Sequence, residues 1–260
     1  MSDSPPPPQT VQVSIEQIVS WFHQLYYDLG HNKQGTWDRT HWMGVACEKC
    51  PFDMWVYQEL LFRIRPGLII ETGTRHGGSA WFYAHMCDLL GTGEIITVDI
   101  QPNPSVPRHP RITYLTGSST DPAILEQLHA RARAHARADA RAGGNSPVFV
   151  ILDSDHSADH VLAEMRLYHS LVTPGSYMVV EDTNVNGHPV YRSHGPGPTE
   201  ALAQFMTENH DFEIDRDCER HLLTMHPWGW LRKRMGQSGP PTPHPVPPAP
   251  APAPAPARVP

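Results

Sequence analysis

The sequence predicts an α/β fold in which helices cover both faces of a doubly wound, mostly parallel sheet. Stretches with strand-like patterns alternate with stretches of helical spacing along the central part of the chain, as they do in βαβ units. The runs "LII" at 68–70 and "VFVIL" at 148–152 are also continuously apolar. Such runs are typical of parallel strands that are buried on both faces.

The two ends of the chain differ in composition from its centre. Many of the 28 prolines stand near the ends, and proline favours an extended, solvated backbone. Residues 1–10 and the tail at 237–260 are therefore predicted to be disordered. Residues 11–236 are predicted to form one domain, which begins with a helical segment.

Two predicted helices precede the first strand of the sheet. Apolar residues recur at helical spacing over Ser14–Leu29, and this spacing predicts a helix. The stretch "PFDMWVYQELLFRI" at Pro51–Ile64 carries proline in its first turn, which is a favoured position for proline in a helix. We therefore predict an N-terminal helical region ahead of the sheet.

The remaining elements are predicted from short apolar runs and from the helical stretches that separate them. The predicted strands are, in order, Leu68–Glu71, Glu94–Ile100, Arg111–Leu115, Val148–Asp153, Ser176–Glu181, Phe212–Asp215 and His221–Met225. The predicted helices between them are Ser79–Leu90, 122–142, Ala158–Leu171 and Pro198–Glu208. The helix at 122–142 is rich in alanine and arginine, which favours a solvated helical face over a phosphate site.

Charge and composition count against several classes of protein. The net charge is -7 with neutral histidines, whereas nucleic-acid binding requires a basic surface. No apolar run reaches the length of about 18 residues that a membrane-spanning helix needs, and the N-terminus lacks the features of a secretory signal. The four cysteines have no regular spacing, which favours a reducing compartment. We expect a cytoplasmic protein that binds neither nucleic acid nor membranes.

The stretch "LIIETGTRHGGS" at 68–79 combines a strand, an acid and a glycine-rich turn. Glu71 ends the strand, and Gly73, Gly77 and Gly78 allow the backbone to turn sharply and to approach a ligand closely. Asp99 closes the next strand, where a carboxylate can accept hydrogen bonds from both hydroxyls of a ribose. The pattern lacks the G-x-G-x-x-G of dinucleotide sites, so it favours S-adenosylmethionine over NAD. The alternative is a plain connection between a strand and a helix.

Acidic residues also follow two later strands. Asp153, Asp155 and His156 stand at the end of "VFVILDSDH", and Glu181 and Asp182 stand at the end of "SYMVVEDTN". If these strands are neighbours, their carboxylates meet at one edge of the sheet, and such crowding requires a neutralising cation or proton. Hard oxygen ligands favour magnesium, calcium or manganese. The alternative is that one or two of these acids cap the helices that follow.

Two other metal sites are conceivable from the sequence. His156, His160 and Glu164 lie at i, i+4 and i+8 on one helical face, and two histidines with a carboxylate are the ligand set of non-haem iron oxygenases. A chain with 17 histidines produces such triplets often. The stretch "CEKC" at 47–50 is a lone CxxC pattern, and a zinc site would need a second pair.

Several long stretches, in order, resemble the cephalosporin hydroxylase / rhamnosyl O-methyltransferase family. They are "HWMGVACEKCPFDMWVYQELL", "LIIETGTRHGGSAWFYA", "GSSTD", "VILDSDHSADHVLAEM" and "PGSYMVVEDTNVNG". The resemblance runs from about Thr36 to about Arg232. It implies a Rossmann-like, class I methyltransferase fold and an enzyme that depends on S-adenosylmethionine and magnesium. It also implies a homo-oligomer that acts on a small molecule in antibiotic or other natural-product biosynthesis.

The resemblance also implies roles for individual residues. Those that would hold the methionine part of the cofactor are Glu71, Gly73, Thr74, Gly77 and Ser79. Asp99 would hold the ribose, and Ser118, Ser119 and Asp121 would border the adenine. Glu181 and Asp182 would bind magnesium together with Asp153 or Asp155, which the resemblance does not separate. His156 would act as the base, and Asp155 is a second catalytic candidate.

The function predicted from these residues is methyl transfer to a hydroxyl of a sugar or another natural-product scaffold. The alternatives are N-methylation of an amino sugar, hydroxylation by non-haem iron, and a non-catalytic component that binds the cofactor and assists a partner. Trp37, Trp42 and Tyr57 are either sugar-stacking residues or core residues. The glycine-rich stretch Asn184–Ala201 is predicted to be a lid, because such loops often close over sites.

Overall fold

The computed structural model describes residues 12–29, 35–141 and 147–236. The predicted disordered segments at 1–10 and 237–260 lie outside the described residues. The helices are α1 (Ile15–Gln24), α2 (Pro51–Ile64), α3 (Gly78–Leu90), α4 (Pro122–Arg141), α5 (Ala158–Tyr168) and α6 (Pro198–Glu208). The strands are β1 (His41–Trp42), β2 (Val45–Ala46), β3 (Leu68–Thr72), β4 (Glu94–Asp99), β5 (Ile112–Thr116), β6 (Val148–Leu152), β7 (Tyr177–Val180), β8 (Phe212–Ile214) and β9 (Trp230–Lys233).

A seven-stranded sheet in the order β5-β4-β3-β6-β7-β9-β8 forms the centre of the protein. The first five strands of this order pair in parallel. Strand β9 pairs antiparallel with both β7 and β8, so the last two strands close one edge of the sheet. The predicted doubly wound, mostly parallel sheet is confirmed.

The two faces of the sheet are covered by different helices. Leu68 and Ile70 belong to a core with residues of α4, α5 and α6. Ile69, which lies between them, belongs to a second core with residues of α2 and α3. Because side chains alternate across a strand, a continuously apolar strand supplies both cores at once. All five residues of β3 and all five of β6 are buried.

The candidate site lies where the strand order of the sheet reverses. Strand β3 has β4 on one side and β6 on the other, so the chain winds outward in both directions from this pair. Ligands of open α/β sheets bind in the crevice outside the carboxyl ends of the strands at such a point. Asp99, Asp153 and Glu181 all lie at or directly after strand ends on this side.

The last predicted strand, His221–Met225, is wrong, because the chain instead forms β9 at Trp230–Lys233. Leu222 has a φ of 69°, which a regular strand does not allow. The N–H of Met225 donates to Asp53 Oδ2 at 2.8 Å, and its carbonyl accepts from Asn184 N at 3.3 Å. The backbone of this segment therefore pairs with the start of α2 and with the loop after β7. The other predicted helices and strands are present with ends shifted by a few residues, and α1 continues as a π-helical turn at Leu25–Leu29.

The described helices do not include one that combines the length and the apolar character needed to cross a membrane.

Candidate active site

A cavity of about 950 Å³ opens at the carboxyl ends of the parallel strands. Ten of the residues predicted from the sequence line it: Gly73, Thr74, Ser79, Asp99, Ser118, Ser119, Asp153, Asp155, His156 and Asp182. Glu71, Gly77, Asp121 and Glu181 do not line it. The cavity therefore brings together residues from the ends of β3, β4, β5, β6 and β7.

The glycine turn after β3 packs directly against the end of β6. Gly73 has a φ of 87°, and a Cβ atom there would lie 1.8 Å from the carbonyl oxygen of Asp153. Only glycine fits this contact and this conformation. The turn then presents the N–H groups of Thr74 and Arg75 to Asp99 Oδ2, at 3.0 and 2.9 Å. Asp99 therefore ties the end of β4 to the turn.

Asp99 holds its carboxylate at the wall of the cavity with backbone donors alone. In addition to the turn, the N–H of Gln101 donates to Asp99 Oδ1 at 2.9 Å. An acid in this position, at the end of the strand next to the glycine turn, is where Rossmann-like sheets bind ribose hydroxyls. The structure thus places Asp99 where the sequence predicted a ribose ligand.

Glu71 is fully buried behind the glycine turn. Thr97 Oγ1 donates to Glu71 Oε2 at 2.7 Å, whereas Glu71 Oε1 has no hydrogen-bond partner among the described residues. Burial raises the pKa of Glu71 to about 7, and Lys49, Ser79 and Thr97 oppose the rise. A buried carboxylate oxygen without a partner next to the turn fits the ammonium group of a bound amino acid.

The residues after β5 separate into two groups. Ser118 and Ser119 line the cavity, and the carbonyl of Ser119 accepts from Tyr168 OH at 2.8 Å. Asp121 instead accepts from Ala123 N at 2.7 Å and caps the start of α4. The side chain is exposed and lies outside the residues that line the cavity, and its place beside an adenine stays a prediction. Gly77 likewise starts a helix, since its φ of 74° precedes α3.

Three side chains at the ends of β6 and β7 form a group that fits a metal ion. Asp153, His156 and Asp182 each place a ligand atom within 4.8 Å of the others. His156 Nε2 lies 3.3 Å from Asp182 Oδ2. Burial, and then the charge of Glu181, raise the pKa of Asp153 to about 7. The two crowded carboxylates fit a hard divalent cation, and the imidazole lies beside them.

Asp155 does not contribute to this group. Its carboxylate accepts from Ser157 N at 2.8 Å, directly before α5 begins. Hydrogen bonds from Ser157 lower the pKa of Asp155. The structure therefore gives Asp155 the helix-end role that the sequence left open and leaves Asp153 as the acid in contact with the cluster.

Glu181 lies behind the cavity wall and is 2% exposed. Its carboxylate accepts from Tyr57 OH at 2.6 Å and from the ammonium group of Lys49. Lys49 also donates to Asp153, so one buried cation joins the ends of β6 and β7. Burial raises the pKa of Glu181. Sequence reasoning missed Lys49, although a lysine between two buried cysteines and ahead of a proline is an unusual signal.

His226 supports Asp182 from the segment before β9. Asp182 has a φ of 53°, and its N–H donates to His226 Nδ1 at 3.1 Å. Burial lowers the pKa of His226, so the ring is neutral at neutral pH. Its Nε2 lies 3.6 Å from Asp53 Oδ2 and 3.7 Å from Glu181 Oε2. The sequence held no pattern that identified this residue.

The two other metal sites weighed from the sequence are not assembled. His160 Nε2 contacts Ser119 Oγ at 3.1 Å and Glu164 Oε1 at 3.5 Å, whereas His156 faces Asp182. The triplet is thus divided between two neighbourhoods, because His156 precedes α5 whereas His160 and Glu164 lie on it. Cys47 and Cys50 are buried free thiols, and within the ranges that the structure describes neither joins a group of metal ligands.

Aromatic residues line the cavity opposite the glycine turn. Tyr27 and Trp37 stack with ring centroids 5.4 Å apart and an interplanar angle of 13°. Tyr191 also lines the cavity, and its N–H donates to Asp28 Oδ1 at 2.9 Å. The loop after β7 is thereby joined to the N-terminal helical region.

The other two predicted aromatic residues lie elsewhere. Tyr57 is 0% exposed in the core. Trp42 packs edge-on against Phe82 at 4.9 Å and donates to His85 Nδ1 at 3.0 Å, so it fixes the β1–β2 hairpin to α3. Of the three aromatic residues singled out in the sequence, Trp37 alone lines the cavity.

The sheet order and the glycine turn with its strand-end acid define a Rossmann-like fold of the class I methyltransferase type. Solved structures with this fold include "CmcI-N160 apo-structure", with a TM-score of 0.59, 21% identity, and coverage of 90% of this chain and 91% of that one. The structure "cmcI-D160 Mg-SAM" has a TM-score of 0.56 and 20% identity, and the match covers 87% and 89% of the two chains.

The family follows from sequence comparison. Residues 34–234 match the family model described as "Rhamnosyl O-methyltransferase/CmcI", and the chain belongs to this family. It is 39% identical over 224 residues to a rhamnosyl O-methyltransferase of Mycobacterium tuberculosis, covering 83% of this chain and 85% of the relative. A rhamnosyl O-methyltransferase of Mycobacterium leprae is 41% identical over 206 residues, covering 77% and 83%. The predicted family and the predicted enzyme class, an S-adenosylmethionine-dependent methyltransferase, are confirmed.

Proposed function

We propose that the protein transfers the methyl group of S-adenosylmethionine to a sugar hydroxyl of a natural product, assisted by Mg²⁺ or another hard divalent cation. One observation carries the proposal. Asp153, His156 and Asp182 meet at the wall of a cavity that also exposes Asp99 and the glycine turn. The residues that we assign to the cation and those that we assign to the ribose therefore line one cavity, as metal-assisted methyl transfer requires.

The choice of a hydroxyl acceptor rests on the relatives. They are named rhamnosyl O-methyltransferases, and this name favours a sugar oxygen over the amino-sugar nitrogen that the sequence left open. We extend the proposal to the biosynthesis of glycosylated natural products of the antibiotic type. The expected homo-oligomer stays a prediction, which light scattering of the purified protein tests.

We assign the donor end of the cavity to the residues that follow β3, β4 and β5. Thr74 and Ser79 at the glycine turn would hold the methionine part, with Glu71 behind them as the acceptor for its ammonium group. Asp99 would accept from the ribose hydroxyls, and Ser118 and Ser119 would border the adenine. Gly73 contributes by its shape, because any side chain there collides with β6.

We assign the divalent cation to Asp153 and Asp182, with Glu181 behind them. The donor chemistry fits the ion, since carboxylate oxygens are the ligands that magnesium prefers. When bound, the cation would lower the pKa of a substrate hydroxyl and orient it. Asp155 is left out of this set, because its carboxylate is engaged at the start of α5.

We assign proton removal to His156. Its imidazole is half-exposed at the cavity wall, and Asp182 Oδ2 lies 3.3 Å from Nε2. The hydroxyl oxygen forms a bond to the methyl carbon while the bond from that carbon to sulfur breaks. The hydroxyl proton passes to the imidazole, S-adenosylhomocysteine leaves, and the nearby Asp182 carboxylate stabilises the imidazolium that forms.

We assign the acceptor to the aromatic wall. Sugar rings stack on aromatic rings through their apolar C–H surfaces, and the rings of Tyr27, Trp37 and Tyr191 line the cavity. The loop that carries Tyr191 is the predicted lid, which starts at Asn184. Replacing Trp37 by alanine should therefore raise the KM for the acceptor and leave the affinity for S-adenosylhomocysteine unchanged.

The test is methyl transfer from labelled S-adenosylmethionine to a panel of rhamnosylated and other glycosylated natural products. We expect label in an ether on the sugar, loss of transfer on chelation, and its return on addition of Mg²⁺. Transfer to an amine, or transfer that chelators leave unchanged, would contradict the proposal. Donor binding without transfer to any member of the panel would instead support a non-catalytic component.

A further inference from the structure

Lys49 is placed where a soluble protein seldom keeps a lysine. It lies between β2 and α2, it is 4% exposed, and it does not line the cavity. Its backbone N–H donates to Thr40 Oγ1 at 3.0 Å, and its ammonium group donates to Asp153 and to Glu181. It therefore contacts the proposed metal ligand Asp153, and the carboxylate of Glu181 behind it, from outside the cavity.

Among the described residues, the side chains of lysine and arginine that contact Asp153 and Glu181 are limited to Lys49. Tyr57 donates its hydroxyl to Glu181, and His226 Nε2 lies 3.7 Å from Glu181 Oε2. A buried ammonium without a partner, or a buried pair of carboxylates without a cation, costs several kcal/mol per ion in real proteins. Lys49, Asp153 and Glu181 therefore depend on one another for burial.

The charges of the proposed centre balance when Lys49 is included. Asp153, Glu181 and Asp182 carry three negative charges when ionised. One ammonium and one divalent cation neutralise all three, whereas the divalent cation alone leaves one negative charge in a mostly buried site. The lysine thus supplies the one positive charge that the divalent cation does not.

We propose that Lys49 is the permanent internal counter-cation of the metal site, which holds Asp153 and Glu181 in place before the metal binds and weakens the metal's binding once it arrives. The inference rests on the proposed metal site. It makes Lys49 a positioning residue rather than a catalytic one. It also implies that the lysine and the divalent cation compete for the carboxylate of Asp153.

The test replaces Lys49 by methionine, which has similar length and no charge. Thermal unfolding is followed at pH 8 over a series of Mg²⁺ concentrations, with and without chelator. In chelator, we expect the Tm of Lys49→Met to fall by about 10 °C, because two buried carboxylates lose their cation. The Mg²⁺ midpoint should fall at least about tenfold, since a neighbouring positive charge no longer repels the metal.

Lys233→Met is the matched control. Lys233 is a partly buried lysine remote from the site, where its ammonium donates to the carbonyl of His169 at 2.9 Å. This variant should lose stability without a change in the Mg²⁺ midpoint. Calorimetric binding of S-adenosylhomocysteine confirms that each variant is folded.

The double variant Lys49→Met/Glu181→Gln distinguishes the loss of a charge from a general failure to fold. It removes the cation together with one carboxylate, so its stability in chelator should return toward that of the wild type. If it stays as unstable as the single variant, Lys49 acts by packing and the proposal is overturned. An unchanged Mg²⁺ midpoint in Lys49→Met also overturns it. A wild-type protein that binds no Mg²⁺ removes the metal site as well.

Discussion

Replacing His156 by glutamine separates proton removal from every other task of the site. Glutamine keeps a polar side chain of similar reach but cannot accept a proton at neutral pH. The general base of such a reaction contributes about 10²- to 10⁴-fold, which is about 3–5 kcal/mol in the barrier. We therefore expect kcat to fall by about 10²- to 10⁴-fold.

The structure predicts small effects of His156→Gln on folding and on donor binding. The contact of His156 Nε2 with Asp182 Oδ2 is partly solvated at 3.3 Å, and pairs of this kind contribute about 0–1 kcal/mol. The proposed donor residues follow β3, β4 and β5, whereas His156 follows β6. The dissociation constant of S-adenosylhomocysteine should thus stay within about twofold of the wild type, since no proposed donor contact is lost.

The assay is a single-turnover measurement of methyl transfer, together with calorimetry of S-adenosylhomocysteine binding. His160→Gln is the matched control, because His160 stands one helical turn further along and contacts Ser119 and Glu164 instead. An equal loss of kcat in His160→Gln, or a His156→Gln enzyme that keeps more than a tenth of the wild-type rate, would refute the reasoning.

Three further predictions use pairs of similar residues or a pH series. Asp153→Asn should abolish Mg²⁺ binding, measured by calorimetry. Asp155→Asn should still bind Mg²⁺ and should lose only about 1 kcal/mol of stability at the helix end. If Asp155→Asn instead abolishes Mg²⁺ binding and Asp153→Asn retains it, Asp155 is the metal ligand. Gly73→Ala should lower the Tm and abolish S-adenosylhomocysteine binding, because the new Cβ would lie 1.8 Å from a backbone oxygen. Gly44→Ala, with a φ of 84° and open space around it, should cost only about 1 kcal/mol of stability, so equal losses would contradict the steric argument. Burial raises the pKa of Glu71 from 4.5 to about 7, so its contribution to stability is complete below pH 4.5 and is lost as the pH rises through about 7. The loss amounts to about 3 kcal/mol. In chemical denaturation, the wild type should therefore lose stability relative to Glu71→Gln between pH 5 and pH 8. If the difference in unfolding free energy between the two proteins is the same at every pH, the carboxyl group ionises normally.

The central sheet could be predicted because its signal is local. Continuous apolar runs such as Leu68–Ile70 need no knowledge of their neighbours to be recognised as buried strands. The last strand could not be predicted in this way. Both His221–Met225 and Trp230–Lys233 are short segments with two or three apolar residues. The backbone of Met225 is engaged by Asp53, which lies 172 residues away in the sequence, and this long-range contact is not visible in a local pattern.

The residues of the candidate site also divide into those that a local pattern identifies and those that only distant contacts reveal. Glu71, Asp99, Asp153 and Asp182 could be identified because each stands at or after the end of a strand, where α/β sheets bind ligands. Lys49 stands far from Asp153 and Glu181 in sequence and meets them only in the folded chain. The sequence also could not predict whether Asp153 or Asp155 belongs to the acidic group, because this depends on which carboxylate accepts a hydrogen bond from the N–H of Ser157.

The aromatic wall is built from parts of the chain that supply none of the parallel strands. Tyr27 and Trp37 precede β3, and Tyr191 follows β7. Under the proposed assignment, sequence changes in these outer segments would alter which sugar is accepted without altering the backbone that we assign to the methyl donor. The hydrogen bond from Tyr191 to Asp28 joins the two outer segments. A design that redirects the protein to a new sugar should therefore exchange both segments together between relatives.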